Sequence, residues 1–482
     1  MSTSTESQSN SFLSRRLRSL PWIATADRFF DSPVYLLLIA LLTLVGNFFS
    51  LELPVYSIFI LICGYLCLFG RDLLPVIPIA ISCYIVPSVG NNPGRNPNSV
   101  FYPQHGGIVL LALAGIFLVL LILRLATDPE IGKKHFFTEK RGLMPGMLAL
   151  GGAYLLSGLG SGHAFDHGFG NLLFSILQFL AVFALYYLFT GCVQWEKAPK
   201  NYLAWTGLAV GYVLVAQIAW IYLTQPILVN GEIDRNLIYS GWGNYNNMAA
   251  LLVMMIPFAF QLAGKQRHSW VYFLSGVLFF LGVVASCSRS SMFVGCLVFL
   301  AALGMSLAEN RQKSYRVTAA AMLFAGILCL LILHQPLLQL FHRLLNVGLI
   351  STDRLQGYWA GLQQFWDYPV FGGGFYPVDF DLYAWSQVEA FSAFFPPRWH
   401  NTVVQLAASC GVVGLAAYLW HRWQTLRLLI RKPARENCYL AVSIAALLIT
   451  SLLDCHFFNI GPTLFYSMAL AFGEKFPVDS SK

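Results

Sequence analysis

A histidine with unusual surroundings stands at the end of the one long hydrophilic stretch of the chain. Residues 396–401 read Pro-Pro-Arg-Trp-His-Asn, and an apolar run begins near Thr402. His400 therefore lies at the amino terminus of a predicted helix, where the helix dipole disfavours imidazolium and free backbone amides attract anions. A neutral histidine beside an anion site can act as a general base. A hydrogen-bonded structural histidine is the alternative that position alone favours.

A second position of this kind is Arg289. The sequence Cys-Ser-Arg-Ser-Ser at 287–291 is a very short polar break between two apolar windows, so this arginine lies at or within the boundary of a membrane. An ionisable residue at that depth is a functional candidate by default. Its guanidinium is also the group best suited to hold a phosphate through two parallel hydrogen bonds.

The hydrophilic stretch, residues 335–401, is rich in aromatic residues. After residues 351–353, apolar side chains recur with helical spacing at Leu355, Tyr358, Trp359, Leu362, Phe365 and Trp366. The predicted helix holds Arg354 in its first turn and either lies on the membrane surface or caps the helices beneath it. It ends by Tyr368, because Pro369 and the glycines at 372–374 break it. The glycines favour a sharp turn over a close approach of another group.

Helices that cross a lipid bilayer must position these side chains. Hydrophobic residues make up 57% of the 482 residues and charged residues only 11%, and the mean hydropathy is +0.62. This composition excludes a soluble multidomain protein. Lipid-exposed backbone must satisfy its own hydrogen bonds, and the alternating pattern of barrel strands is missing, so helices are the expected element. We expect an all-α polytopic membrane protein with about 12–14 transmembrane helices.

The apolar windows define the expected organisation of the chain. Windows long enough for a helix to cross the hydrocarbon lie near residues 33–50, 54–70, 73–89, 107–126, 143–159, 171–193, 202–224, 247–263, 270–286, 291–308, 316–334, 402–420, 437–454 and 458–473. Four regions follow from them. They are a cytoplasmic tail (1–32), transmembrane helices 1–11 (33–334), a long external loop with amphipathic helices (335–401), and the carboxy-terminal helices with a short cytoplasmic tail (402–482).

The distribution of positive charge predicts the orientation. If the spans alternate from a cytoplasmic amino terminus, every lysine and most arginines fall on one side, which the positive-inside rule makes cytoplasmic together with both termini. The external face receives only arginines, namely Arg95, Arg235, Arg289, Arg343, Arg354 and Arg398. Taken singly, Arg95, Arg235 and Arg343 are more simply explained as loop arginines paired with external acids such as Asp234, Asp353 or Glu389.

Other function classes receive little support from the sequence. The ten cysteines lie mostly in apolar windows without metal-ligand spacing and resemble small buried hydrophobic residues. The net charge of +8 is scattered between spans, which is not the pattern of a nucleic-acid-binding protein. Asp379 and Asp381 form an Asp-x-Asp pair that could hold a divalent cation, although solvated loop acids are the favoured interpretation.

Three segments resemble, in order and spacing, the bacterial O-antigen ligase and O-antigen polymerase superfamily. They are SRSS at 288–291, DRLQGYWAGLQQFWDYPVFGGGF at 353–375 and WHNTVVQLAASCGVVGLAAYL at 399–419. GWGNYNNMAALL at 241–252 is similar to the asparagine-containing segment of that family. The resemblance covers roughly the second half of the chain, whereas the first half matches only as a series of spans.

The resemblance implies a membrane glycosyltransferase of the GT-C type that is independent of metal. We expect an inverting transfer without a cofactor. It would take glycan from undecaprenyl diphosphate on the external face of the bacterial cytoplasmic membrane. Arg289 and Arg354 match family arginines that are thought to hold the diphosphate, and His400 matches the proposed base. Asn401 matches the asparagine beside that base. Arg398 falls where the family is variable, so we expect at most a supporting role.

The sequence leaves the acceptor open. A second lipid-linked repeat, a lipopolysaccharide core, a wall polymer and a protein serine all remain possible, the last making the chain a protein O-oligosaccharyltransferase. A polymerase is favoured over a ligase because the chain shows no separate external domain for a bulky acceptor. A transporter or flippase is the other class with many spans and intramembrane charge. The two halves show no obvious repeat, however, and a transporter has little reason to carry the long external loop.

Overall fold

The computed structural model is almost entirely helical. It describes residues 21–70, 72–87, 142–163, 165, 170–193, 195, 198–199, 201–238, 241, 244–264, 268–376, 398–431 and 435–475, with scattered positions between 112 and 124. The helices are α1 Pro21–Phe30, α2 Pro33–Phe48, α3 Glu52–Leu68, α4 Val76–Ile85, α5 Met144–Leu155, α6 Gly170–Phe179, α7 Leu185–Cys192, α8 Tyr202–Thr224, α9 Tyr245–Ala263, α10 Ser269–Ala285, α11 Arg289–Glu309, α12 Lys313–Ile332, α13 His334–Val347, α14 Thr352–Asp367, α15 Thr402–Arg431, α16 Arg435–Leu453 and α17 Ile460–Lys475.

Short elements connect some of these helices. A π-helical turn, Leu180–Ala184, joins α6 to α7, and 3-10 turns cover Arg235–Leu237 and His456–Phe458. The strands Leu228–Val229 (β1) and Glu232–Ile233 (β2) form a small antiparallel hairpin after α8. This hairpin lies on the same side of the bundle as α13, because the side chain of Gln339 bonds both backbone polar groups of Ile233.

Several of the described helices have the length and composition of membrane spans. Five are long and apolar enough to cross a bilayer, namely α8, α9, α11, α12 and α15, and the bent pair α1 and α2 would make a sixth. Helices α3, α4, α5 and α10 and most of α16 are shorter but also apolar. The expected all-α membrane fold is confirmed. The total of 12–14 spans stays a prediction, since the window near 107–126 lies mostly outside the described residues.

Helix α9 is the centre of the bundle. Every residue from Met248 to Ala263 is buried, and α8, α10, α11 and α16 pack around it. Glycines bring two of these neighbours close: a Cβ at Gly207 would lie 2.9 Å from the Phe258 ring, and one at Gly276 would lie 2.8 Å from the Phe260 ring. Close contact through small residues is how helices associate in lipid, where apolar burial alone gives little driving force.

Helix α14 turns its small residues toward the bundle and its largest residues outward. Ala360 and Gly361 are buried, whereas Trp359 and Trp366 are 73% and 75% exposed. The helix spans Thr352–Asp367, as its apolar spacing predicts. It therefore caps the bundle with one side and presents a tryptophan-rich side, of the kind enriched at membrane–water interfaces, with the other.

Helix α15 is broken at Gly411, and the chain that follows α14 fills the break. Gly411 has a φ of 62° inside the helix. The amide of Val412 donates to the carbonyl of Pro369 (2.8 Å), and the amide of Val413 donates to the carbonyl of Val370 (3.2 Å). Backbone amides released by the break are thus satisfied by a neighbouring segment.

The glycine run after α14 completes this contact. The amides of Gly373 and Gly374 donate to the carbonyls of Ala408 and Ser409 at 2.8 and 3.2 Å. A Cβ at Gly372, which has a φ of 69°, would lie 2.2 Å from the carbonyl carbon of Ser409. The sequence favours a turn at these glycines, but the structure shows both a turn and a close backbone approach. The contact fixes the first part of α15, which directly follows His400 and Asn401 in the chain.

Candidate functional site

A carboxylate that the sequence did not single out joins two of the predicted site residues. Asp454 follows the last residue of α16 and accepts on Oδ1 from Nδ1 of His400, at 3.0 Å. Its Oδ2 accepts from Nη2 of Arg354, also at 3.0 Å. Nη1 of Arg354 donates to the carbonyl of Leu453 at 2.5 Å. Three elements that are distant in sequence therefore meet at one carboxylate.

The carboxylate of Asp454 is held in its ionised form. Burial by itself raises the pKa of this group, but the neighbouring His400 and Arg354 outweigh burial and hold the pKa well below its usual range. Nδ2 of Asn246 donates to Oδ2 at 3.1 Å, and the amide of Cys455 donates to Oδ1 at 2.8 Å. With both oxygens engaged, Asp454 is suited to orient its neighbours and poorly suited to attack a substrate.

This contact determines which nitrogen of His400 is available for chemistry. A carboxylate oxygen can only accept a hydrogen bond, so the nitrogen that faces Asp454, Nδ1, carries the proton. In the neutral ring the lone pair is then on Nε2. The side chain of His400 is 32% exposed, compared with 12% for Asp454. The imidazole is therefore the more accessible side chain of the pair.

The backbone of His400 adopts an uncommon conformation. Its φ is 55°, in the left-handed region, which costs a non-glycine residue about 1–3 kcal/mol. The hydroxyl of Tyr358 on α14 donates to the carbonyl of His400 at 3.1 Å. Strain of this kind persists where the surrounding contacts fix it, and the imidazole contacts Asp454 from this conformation.

Asn401 acts as the cap of α15. Its Oδ1 accepts from the amides of Val403 and Val404, and its Nδ2 donates to the carbonyl of Leu452 at 2.8 Å. The sequence analysis expects free amides at this helix start to attract an anion. The structure corrects this expectation, because the side chain of Asn401 occupies two of those amides. Asn401 thereby ties His400 to the end of α16.

Arg289 begins α11 and reaches across to α13. Its Nη1 donates to the carbonyl of Arg343 at 3.1 Å and also to the carbonyl of Gly348. The positive charges of Arg343, Arg235 and Arg354 all act on this guanidinium. Arg289 and Arg354 thus lie within electrostatic reach of each other, and a shared anionic ligand stays a prediction.

Ser288, the residue before Arg289, is connected to the carboxylate of Asp454 by hydrogen bonds through Asn246. The hydroxyl of Ser288 donates to Oδ1 of Asn246 at 2.8 Å, and the amide group of Asn246 donates to Asp454. Asn246 belongs to the asparagine-containing segment at 241–252. The sequence resemblance identified this segment but gave it no position in the fold. In the structure, Asn246 of this segment bonds the same carboxylate that contacts His400 and Arg354.

Arg398 lies behind the site. Its Nη1 donates to the carbonyl of Phe458 at 2.8 Å, and its guanidinium carbon lies 5.0 Å from the centre of the Phe174 ring. Burial lowers the pKa of Arg398, whereas the nearby Cys455 and Asp454 act in the opposite direction. Arg398 thus connects α6 with the turn His456–Phe458 that follows Asp454, and its supporting role stays a prediction.

A second histidine, His456, was also missed by sequence analysis. It is buried, and its Nδ1 lies 2.9 Å from Oδ1 of Asn247. Burial lowers its pKa to about 4. The signal for both Asp454 and His456 is weak in the sequence, because they stand at the short break between the last two apolar windows and look like an ordinary span end.

The alternative metal site cannot be located. Asp379 and Asp381 lie outside the described residues. Within the described part of the chain, no group of three or more His, Cys, Asp or Glu side chains could hold a metal ion. Metal independence therefore stays a prediction.

Comparison with known proteins identifies the region that carries the site. Residues 274–419 match the sequence model of the family described as O-antigen ligase. No curated protein matches the chain. The matched region covers less than half of the chain and contains Arg289, Arg354, Arg398 and His400, whereas Asp454 lies beyond its end. Residues 274–419 are therefore similar to the O-antigen ligase family, which supports the resemblance of this part of the chain to the O-antigen ligase and polymerase superfamily.

Proposed function

We propose that this protein transfers glycan from an undecaprenyl-diphosphate-linked donor to an acceptor hydroxyl on the external face of the bacterial cytoplasmic membrane. The observation that carries the proposal is the contact of His400 and Arg354 with the same carboxylate, Asp454. This shared contact supports an arrangement in which a base and a cation are held in fixed positions beside each other. Acceptor activation and leaving-group stabilisation require such an arrangement.

His400 is the proposed base. Its Nε2 takes the proton of the acceptor hydroxyl while the acceptor oxygen forms a bond to the anomeric carbon of the donor. The imidazolium that results is stabilised by Asp454, which already accepts a hydrogen bond from Nδ1. Because Asp454 is ionised before the reaction begins, the stabilisation needs no further proton movement.

Arg289 and Arg354 are the proposed diphosphate ligands. When the bond between the anomeric carbon and the phosphate oxygen breaks, the electron pair leaves with the diphosphate, which gains one negative charge. Guanidinium groups already placed at that oxygen stabilise the charge without reorganisation. Arg354 has one nitrogen on Asp454 and one on the Leu453 carbonyl, so its plane is fixed before the donor binds.

We propose an inverting transfer without a covalent enzyme intermediate and without a metal ion. A covalent route needs a carboxylate that is free to attack the anomeric carbon. Asp454 is the carboxylate beside His400 among the described residues, and both of its oxygens accept hydrogen bonds. Direct attack by the acceptor hydroxyl is the reaction that this arrangement supports.

We favour polymerisation of a surface polysaccharide over ligation, on the sequence ground that no separate external domain is evident for a bulky acceptor. The test is incubation of the purified protein with lipid-linked repeat units and no other acceptor. A ladder of products spaced by one repeat is the expected result. Product that forms only after lipopolysaccharide core is added would identify a ligase, and product that forms only on a protein serine would identify a protein O-oligosaccharyltransferase.

The variant His400→Ala separates an enzyme from a transporter or flippase. We expect it to bind the lipid-linked donor normally and to lose glycan transfer by at least about 100-fold, the usual contribution of a general base. His342→Ala is the matched control, because this histidine is exposed on α13 in the same external region. Unchanged glycan transfer in His400→Ala would remove the histidine from the mechanism.

A further inference from the structure

Arg422 is an ionisable residue inside a helix long enough to span a membrane, and the proposed mechanism does not use it. It lies in the second part of α15, after the break at Gly411. The helix, Thr402–Arg431, contains no acidic residue that could balance its charge. An ionisable residue in such a helix is a functional candidate by default.

Three aromatic rings surround the guanidinium of Arg422. Its carbon lies 4.4 Å from the ring centres of Tyr418 and Phe457 and 5.0 Å from that of Tyr466. Nη1 donates to the hydroxyl of Tyr466, which also lies 2.6 Å from Nε2 of His421. The faces of aromatic rings attract a cation, and they do so more strongly where water is excluded. The guanidinium therefore connects α15 with α17 and with the turn between α16 and α17.

The rings are the groups that compensate this charge. Nε and Nη2 of Arg422 are buried, and none of the described groups forms a hydrogen bond with them. No carboxylate in the described part of the chain forms an ion pair with Arg422. Because the two nitrogens are buried, neither water nor a soluble anion reaches them. A ring that moved away would leave the cation with less compensation, so the charge holds the rings in place.

One of these rings belongs to the turn that follows Asp454. Phe457 is fully buried and lies in the 3-10 turn His456–Phe458. The amide of Cys455 donates to Oδ1 of Asp454 at 2.8 Å, and the amide of Phe458 donates to the carbonyl of Cys455 at 3.0 Å. These bonds make residues 454–458 a compact unit. A displacement of the Phe457 ring would therefore displace the carboxylate as well.

We propose that Arg422 is a positioning residue, which holds the ring of Phe457 from inside the bundle and thereby fixes the carboxylate of Asp454. That carboxylate contacts the proposed base, His400. Arg398 bonds the carbonyl of Phe458 in the same turn, so two arginines hold the turn through different groups. The inference rests on the proposed function for its effect on glycan transfer, but not for its effect on the turn.

Hydrogen–deuterium exchange tests the turn without an assay of activity. Full-length protein in detergent micelles is compared with Arg422→Met, which removes the charge, and with Phe457→Leu, which removes the ring face. A neutral side chain in place of a buried cation does not by itself unfold a membrane bundle. The amides of Phe458 and Asn459 bond the carbonyls of Cys455 and His456. We expect both amides to exchange at least about tenfold faster in each variant.

Two further variants serve as controls. Phe273→Leu is matched to Phe457→Leu, because Phe273 is equally buried but packs against Phe260 and Tyr315. It should leave the two turn amides unchanged. Tyr466→Phe removes the hydroxyl that Arg422 bonds but keeps the ring, so it should accelerate exchange much less than Arg422→Met does.

The exchange rates can overturn the proposal in three ways. Unchanged exchange at the turn in Arg422→Met or in Phe457→Leu would show that the contact does not hold the turn. Equal acceleration in Phe273→Leu would show a general loss of stability. Acceleration in Tyr466→Phe as large as in Arg422→Met would show that the hydroxyl, and not the ring faces, carries the effect.

Glycan transfer tests whether the position of the turn matters for the reaction. We expect Arg422→Met to lower kcat by about tenfold in the otherwise wild-type protein and to cause no further loss when it is combined with Asp454→Asn, because residues that act through one another are not additive. Losses that multiply would show that Arg422 acts independently of the carboxylate and would overturn the positioning role. Faster exchange in the variants of a protein whose wild type transfers no glycan would refute the proposed function and leave the contact between Arg422 and the turn standing.

Discussion

Asp454 links the proposed base His400 to the guanidinium of Arg354, and each of the three groups comes from a different part of the chain. His400 comes from the residue pair before α15, Arg354 from the first turn of α14 and Asp454 from the end of α16. The residue types of His400 and Arg354 and the sequence next to each made both residues predictable as site candidates. Asp454 was not predictable in the same way, because its partners are 54 and 100 residues distant in sequence. A single acid at the end of an apolar window carries no local sign of such partners.

Replacing Asp454 by Asn tests whether the carboxylate orients His400. Asn keeps the size of the side chain but loses the charge that stabilises the imidazolium, so we expect kcat for glycan transfer to fall by about 100-fold. Asp367→Asn is the matched control, because this acid is exposed at the end of α14.

A double variant tests more directly whether Asp454 acts through His400. If Asp454 acts through His400, then Asp454→Asn combined with His400→Ala should transfer glycan no more slowly than His400→Ala alone, because residues that act as a unit are not additive. Losses that multiply in the double variant would show that Asp454 acts independently of the histidine.

Helix α15 has structural features that the types of its single residues do not reveal. Its start near Thr402 was predictable from hydropathy, but its break at Gly411 and the docking of residues 369–374 were not. The two glycine-containing segments are about 40 residues apart, and their backbones bond each other directly. Hydropathy and helical periodicity describe side chains along one segment, so they do not report a contact between two backbones.

We predict that Gly411→Ala destabilises the protein more than an ordinary helix substitution. The left-handed backbone alone costs a non-glycine residue about 1–3 kcal/mol, and a Cβ would lie 2.3 Å from the carbonyl oxygen of Val370. Gly304→Ala in α11 is the control, since nothing lies within 4 Å of a Cβ there and alanine favours a helix by about 0.5–1 kcal/mol. Thermal unfolding in detergent should show a lower midpoint for Gly411→Ala only.

An equal midpoint in the two glycine variants would mean that the break in α15 is not needed for the fold. Glycan transfer should also fall in Gly411→Ala, because residues 369–374 pack on α15, and the start of α15 follows His400 directly. A variant that unfolds early but transfers glycan normally at low temperature would separate the stability of the break from its effect on the site.

At the scale of the whole molecule, the site residues lie at helix ends that face the same way. Helices α9, α11 and α15 begin at the site, and α16 ends there, so Asn246, Arg289, His400 and Asp454 share one end of the bundle. The predicted alternation of spans puts these ends on the face that lacks lysine. The shared helix ends and the predicted charge distribution are therefore consistent with the proposed external position of the site.

That agreement leads to a prediction about the membrane face. Cys438 is exposed near the start of α16 and lies sixteen residues before Asp454, roughly 24 Å along the helix, so it should face the cytoplasm if the site faces outward. Gln363 is exposed on α14, on the side of the site. In intact cells, a membrane-impermeant maleimide should label the variant Gln363→Cys and should reach Cys438 only after permeabilisation. Cysteines inside the spans should stay unlabelled, because a thiolate does not form in lipid. Labelling of Cys438 in intact cells, with Gln363→Cys protected, would invert the orientation and place the site where no external acceptor could reach it.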